Sequence, residues 1–129
     1  MLLRGYDIAA RLAQPLALPW PRRRAARGRE EPGRFDERLG RASQARPIGP
    51  LVWMHAASLG ETRAMLPLLE AIRAQGPEVL VTTATLSANR LAAGQLPAGA
   101  CLQLAPLDLP QALARFLDHW RPGLAVLVE

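Results

Sequence analysis

Leu51–Glu61 reads LVWMHAASLGE, and the fold turns on how this stretch is taken. An apolar run, Leu51 to Met54, passes into small and polar residues, His55 to Ser58. Gly60 and Glu61 follow, and then a helical pattern to Gln75. The reading is a buried strand, a tight turn and a helix start. In an open α/β sheet, ligands sit outside the carboxyl end of such a strand.

Outward from that stretch the pattern alternates. Strands are predicted at Leu51–Ala56, Val79–Thr83, Cys101–Ala105 and Leu124–Val128. Helices are predicted at about Glu61–Gln75, Ser87–Gln95 and Leu109–Trp120. Met65, Leu68, Leu69 and Ile72 fall on one face of the first helix, and Leu113, Phe116 and Leu117 are expected inward on the third. Gly76-Pro77, Pro97 with Gly99, and Pro122-Gly123 punctuate the helix ends. Short links and continuously apolar strands imply an α/β fold, a Rossmann-like parallel sheet with helices on both faces. The domain is expected to span residues 47–129, and residues 1–46 to form a membrane-associating arm and linker.

Bulk composition separates arm from domain. The chain has 129 residues and no lysine. Residues 1–50 hold 11 arginines against five acids, whereas residues 51–129 hold five arginines against six. The +5 net charge therefore belongs to the N-terminal part. Residues 1–20 are apolar but broken by Arg4, Asp7, Arg11, Pro15 and Pro19, which argues against a spanning helix and a signal peptide. An amphipathic segment lying on a membrane fits them, with Trp20 at the interface. Five arginines between Arg22 and Arg29 would favour anionic lipid, at about 1 kcal/mol per charge. A solvated basic linker is the bland reading. No aromatic residues interleave those arginines, which speaks against nucleic acid as a partner. The single cysteine, Cys101, excludes an internal disulfide and a cysteine-rich metal site.

In a parallel sheet all strand C-termini share one edge. Here that edge gathers His55 and Ser58, then Thr82, Thr83 and Thr85, then Asp108, then Glu129. Each has a structural reading beside a functional one. Ser58-Leu59-Gly60-Glu61 fits the capping box, in which serine and glutamate satisfy each other's backbone amides. Asp108 before Leu109-Pro110 fits a helix N-cap, and Thr85 or Ser87 can cap the second helix. His55 reads as a hydrogen-bonded spacer or a base. Gly60 reads as a site of tight packing or positive φ. Phosphate-binding glycine motifs, a serine-nucleophile elbow and metal-ligand spacings are all missing.

Three ordered motifs carry a family resemblance. They are His55-Ala-Ala-Ser58-Leu-Gly60-Glu61, Thr82-Thr83-Ala84-Thr85, and Pro106-Leu107-Asp108-Leu109-Pro110, with GRFDERLG from Gly33 preceding them. In these the chain resembles the N-terminal half of the 3-deoxy-D-manno-octulosonic acid (Kdo) transferases. The resemblance implies the acceptor half of a GT-B fold, in which the catalytic cleft lies between two Rossmann-like domains. It implies transfer of Kdo from CMP-Kdo to the lipid A precursor in lipopolysaccharide synthesis, at the cytoplasmic face of the bacterial inner membrane. Glu61 would be the catalytic base. His55, Ser58, Gly60, Thr83, Thr85, Asp108 and Glu129 would line the acceptor side of the cleft. No cofactor or metal is expected. CMP-Kdo would be held by a C-terminal donor domain, so the chain reads as a fragment ending within a motif. Residues 1–29 would meet the anionic membrane surface. Two alternatives stay open: a non-catalytic lipid-binding α/β module at a membrane surface, or a GT-B transferase using another nucleotide sugar.

Overall fold

The computed structural model describes residues 34–128. The expectations for residues 1–29, and for Glu129, lie outside the described residues. Element order is α1 (Phe35–Arg38), β1 (Leu51–Ala56), α2 (Leu59–Ala74), β2 (Glu78–Thr83), α3 (Leu86–Gln95), β3 (Cys101–Leu104), α4 (Pro110–Trp120) and β4 (Leu124–Val128).

The four strands form one parallel sheet in the order β3-β2-β1-β4. Register places Trp53 beside Leu80 and Ala125, and His55 beside Thr82 and Leu127. Side chains alternate across β1, so each face takes every second residue. Val52, Met54 and Ala56 pack with Val79 and Val81 against Met65 and Leu69 of α2. On the opposite face Leu51, Leu80 and Cys101 pack with Phe116 and Trp120 of α4, and Trp53 lies against this group. The Trp53 and Phe116 rings are 4.7 Å apart between centroids.

Two inward faces differ from the sequence reading. Leu68 on α2 and Leu117 on α4 are both exposed. The buried stripe of α4 runs instead through Ala112, Phe116 and Trp120. Steps of four residues along that stripe suit a helix crossing the sheet, and they turn Leu117 outward.

Residues 34–46, expected to be linker, are packed onto the domain. Strand β3 is an edge strand, and its outward amides are taken by side chains of this segment. Leu104 N donates to Glu37 Oε2 at 2.7 Å, and Leu102 N donates to Gln44 Oε1 at 3.1 Å. Glu37 is buried; its carboxylate also accepts from Ser43 Oγ and pairs with Arg34. Arg46 reaches the last turn of α4, donating from Nε to Trp120 O at 2.6 Å. A basic side chain there meets carbonyls that the helix itself leaves unpaired. Gly40 makes the approach possible. Its φ is +82°, and a Cβ there would stand 2.0 Å from Ala112 O. At the other edge β4 pairs only with β1 among the described residues, with Leu124 and Leu127 exposed.

Candidate functional site

The site is built on the carboxyl edge of the sheet, where β1 ends and α2 begins. Ser58 is the N-cap of α2, in extended conformation, and Glu61 is the third helical residue. The capping box is complete. Glu61 N donates to Ser58 Oγ at 3.3 Å, and Glu61 Oε2 accepts from Ser58 N at 2.9 Å and from Ala57 N at 2.8 Å. Thr62 Oγ1 donates to Ser58 O at 2.8 Å and ties the turn further. One carboxylate oxygen thus does the capping, and Oε1 has no hydrogen bond among the described residues. The cap and base readings of Glu61 are compatible, because they use different atoms.

Gly60 is explained by neither reading that the sequence offered. It lies in the first turn of α2 without a positive φ, and a Cβ there meets nothing within 4 Å. The fold therefore does not require glycine at this position.

A cleft of about 430 Å³ is lined by Trp53, His55, Ala105, Pro106, Asp108, Leu113 and Leu127; of the residues expected to line it from the sequence, His55 and Asp108 do so, and Ser58, Gly60 and Glu61 do not. Its walls are mainly apolar, with the imidazole of His55 and the carboxylate of Asp108 as polar groups. That mixture is typical of small-molecule sites. His55 is held from below. Its Nδ1 lies 2.9 Å from Thr82 Oγ1, and the same hydroxyl accepts from Trp53 Nε1 at 2.8 Å. A threonine in register on β2 thus fixes two rings that β1 turns to one face.

Burial pushes the His55 imidazole below its ordinary value of 6.5. Arg38's charge acts the same way; the charge of Glu61 and a backbone hydrogen bond to Thr82 act against it. Burial prevails because the charged imidazole loses more hydration than a half-exposed carboxylate returns.

The remaining expected site residues are placed differently. Thr83 is fully buried; its Oγ1 accepts from Asn89 Nδ2 at 3.1 Å and donates to Thr85 O at 3.3 Å. It fastens α3 to β2 and does not line the cleft. Thr85 is the N-cap of α3, its Oγ1 accepting from Ala88 N at 3.1 Å. Asp108 is not a cap. The N-cap of α4 is Leu109, without a side-chain bond, and Pro110 opens the helix. Pro110 brings no N–H, so the first turn has one donor fewer to satisfy. Asp108 is left exposed on the cleft wall.

Trp53, Pro106 and Leu113 line the cleft and were not singled out as site residues from the sequence. The two-residue spacing of Trp53 and His55 on a strand was the available signal. Among the described residues no group of three or more His, Cys, Asp or Glu is placed to hold a metal. No helix among them is long and apolar enough to cross a membrane.

Comparison with known proteins bears on this geometry. The family described as 3-deoxy-D-manno-octulosonic-acid transferase (Kdo transferase) matches residues 33–129. A relative from Arabidopsis thaliana, named "Probable 3-deoxy-D-manno-octulosonic acid transferase, mitochondrial", is 43% identical over 108 residues, 82% of this chain and 24% of its own. The 3-deoxy-D-manno-octulosonic acid transferase of Bordetella pertussis is 40% identical over 136 residues, 96% of this chain and 31% of its own. That of Rickettsia bellii is 36% identical over 104 residues, 79% of this chain and 25% of its own. The chain thus spans a quarter to a third of the length of these relatives. No solved structure matches it significantly. The matched region begins at the segment that closes β3 and runs through the capping box and the cleft, and the chain belongs to the Kdo transferase family.

Proposed function

We propose that this chain forms the acceptor-binding part of a glycosyltransferase that moves Kdo from CMP-Kdo to the lipid A precursor. Glu61 serves as the base that takes the proton of the acceptor hydroxyl. The observation that supports this most is the division of labour within one carboxylate: Oε2 is spent on two backbone amides, while Oε1 has no hydrogen bond among the described residues. The two amide bonds fix the carboxylate in place, so its second oxygen is aimed without a further ordering cost. A base so placed contributes roughly 10²–10⁴-fold. The transition state gathers positive charge at the sugar carbon, as glycosyl transfer generally does. Donor binding falls to the part of the relatives that this chain does not span. Residues 1–29 meet the anionic cytoplasmic face of the inner membrane.

The test joins this chain to the C-terminal remainder of the Bordetella pertussis relative and compares wild type with Glu61→Gln. Kdo transfer to lipid A precursor and the thermal midpoint are read together. Loss of transfer at an unchanged midpoint supports Glu61 as base. Equal transfer by both removes that assignment. Acceptor binding by wild type without transfer favours the lipid-binding module instead.

A further inference from the structure

His55 rests on a hydroxyl that has one way to place its proton. Thr82 stands beside it in register on β2 and is fully buried. Two ring nitrogens lie within hydrogen-bond distance of Thr82 Oγ1, Trp53 Nε1 at 2.8 Å and His55 Nδ1 at 2.9 Å. That oxygen has no third partner among the described residues. An indole N–H only donates, so Thr82 Oγ1 is the acceptor in the first contact. The Trp53 ring is packed on Phe116 of α4, with centroids 4.7 Å apart and planes at 54°, and this fixes where Nε1 points. The second contact has two arrangements. Either the hydroxyl donates to a bare Nδ1, or a protonated Nδ1 donates to the hydroxyl. The latter gives the oxygen two incoming donors and leaves its own proton buried with nothing to receive it. A buried donor without an acceptor loses its hydration for no return. The former satisfies all three groups. The chain of donors therefore runs from Trp53 Nε1 to Thr82 Oγ1, and from Thr82 Oγ1 to His55 Nδ1. Thr82's backbone pulls toward a protonated ring, but it is the weakest of the influences on His55, and burial is the largest.

A neutral imidazole carries one proton, so a bare Nδ1 means a protonated Nε2. Nε2 makes no hydrogen bond among the described residues, and His55 lines the cleft. We propose that Thr82 is a positioning residue of this site: backed by Trp53, it sets the His55 tautomer, so that the ring meets a ligand in the cleft as a neutral Nε2–H donor. The ligand atom it meets is an oxygen with a lone pair. His55 is then neither a mere spacer nor a base, because Nε2 already holds its proton and Nδ1 is taken by the hydroxyl. The Asp108 carboxylate lines the same cleft and supplies an acceptor. One donor and one acceptor among apolar walls suit a hydroxylated ligand. That substrate class rests on the acceptor-site reading, and the tautomer does not.

The experiment is a long-range proton–nitrogen NMR spectrum of the ¹⁵N-histidine-labelled 129-residue chain, recorded well above pH 6.5, where His55 is neutral. The two ring nitrogens give separate signals according to which holds the proton. His119, bonded through Nε2 to Gln44 O at 2.8 Å, is the internal control. The expected wild-type result is an unprotonated Nδ1 and a protonated Nε2 at His55. Thr82→Val keeps the shape without the hydroxyl and should give a mixture of both tautomers. Thr82→Ser should restore the wild-type pattern. Trp53→Phe removes the upstream donor and should raise the population of the Nδ1-protonated form. His119 should be unmoved throughout. A wild-type His55 protonated at Nδ1 overturns the proposal, as does an unchanged tautomer ratio in Thr82→Val. A serine variant that behaves like the valine one also overturns it, since the hydroxyl is then not the cause. If Thr82→Val does not fold, wild type and Trp53→Phe decide, and an unchanged ratio in Trp53→Phe overturns the proposal. No acceptor is added, so an acceptor-site reading that fails leaves the spectra standing.

Discussion

The Glu61 carboxylate accepts the Ser58 backbone amide at 2.9 Å while Ser58 Oγ accepts the Glu61 amide at 3.3 Å. This reciprocal pair makes a clean separation of stability from chemistry possible. Glutamine can accept the same amides through its carbonyl oxygen. Glu61→Gln is expected to change unfolding free energy by less than about 0.5 kcal/mol. Glu61→Ala leaves the Ser58 and Ala57 amides unanswered and should cost about 1 kcal/mol. Urea unfolding of the two variants checks the contrast. In the joined enzyme both should lose roughly 10²–10⁴-fold in transfer.

Gly60→Ala should make the protein more stable, by about 0.5–1 kcal/mol. The position is helical, its φ is not positive, and a Cβ there is unobstructed. Alanine loses less backbone freedom on folding than glycine in such a place. Denaturant midpoints measure this. A more stable variant that binds lipid A precursor less well would mark Gly60 as ligand space at the helix start.

The His55 imidazole is held below its ordinary value of 6.5, chiefly by burial. The sign follows from linkage: a histidine with a depressed folded value binds fewer protons folded than unfolded, so stability rises with pH through that window. The contribution is fully present above pH 6.5 and is lost as pH falls through the folded value. Thermal midpoints of wild type should fall more steeply below pH 6.5 than those of His55→Gln. Parallel curves would show that His55 is not the group responsible.

Gly40→Ala should be severe. The new Cβ would stand 2.0 Å from the Ala112 carbonyl oxygen, on a backbone with φ +82°. Positive φ and a clash with helix backbone each carry a penalty of a few kcal/mol, so a loss of about 3 kcal/mol or more is expected. Urea unfolding gives the number. The loss should fall on the packing of residues 34–46 first, seen as faster exchange of the Leu102 and Leu104 amides.

Much of this architecture was legible from periodicity. All four strands fall where apolar runs end in small or polar residues, and the helix stops fall at Gly76, Pro97 and Gly123. The capping box was legible because its signal is local: four residues specify the hydrogen bonds. The bonds from Arg38 Nη2 to Ala84 O and from Nη1 to Ala105 O were not legible, since they reach 46 and 67 residues along the chain to backbone carbonyls that carry no sequence signature. The polar character of residues 34–46 suggested solvent. In fact those polar groups answer the amides of an edge strand, a role that a hydropathy pattern does not distinguish from a linker. Thr83 misled for a related reason. On a strand end it looks like cleft lining, but Asn89 meets it from α3 in the interior.

The two edges of this sheet are unequal, and that gives the sheet a direction of growth. On the β3 side Glu37 and Gln44 already occupy the amides that another strand would need. On the β4 side no further strand pairs among the described residues, and Leu124 and Leu127 are exposed there. Any strand that joins, from whatever source, has a single berth, and Leu127 is also cleft wall. Whatever takes that berth becomes a neighbour of the site.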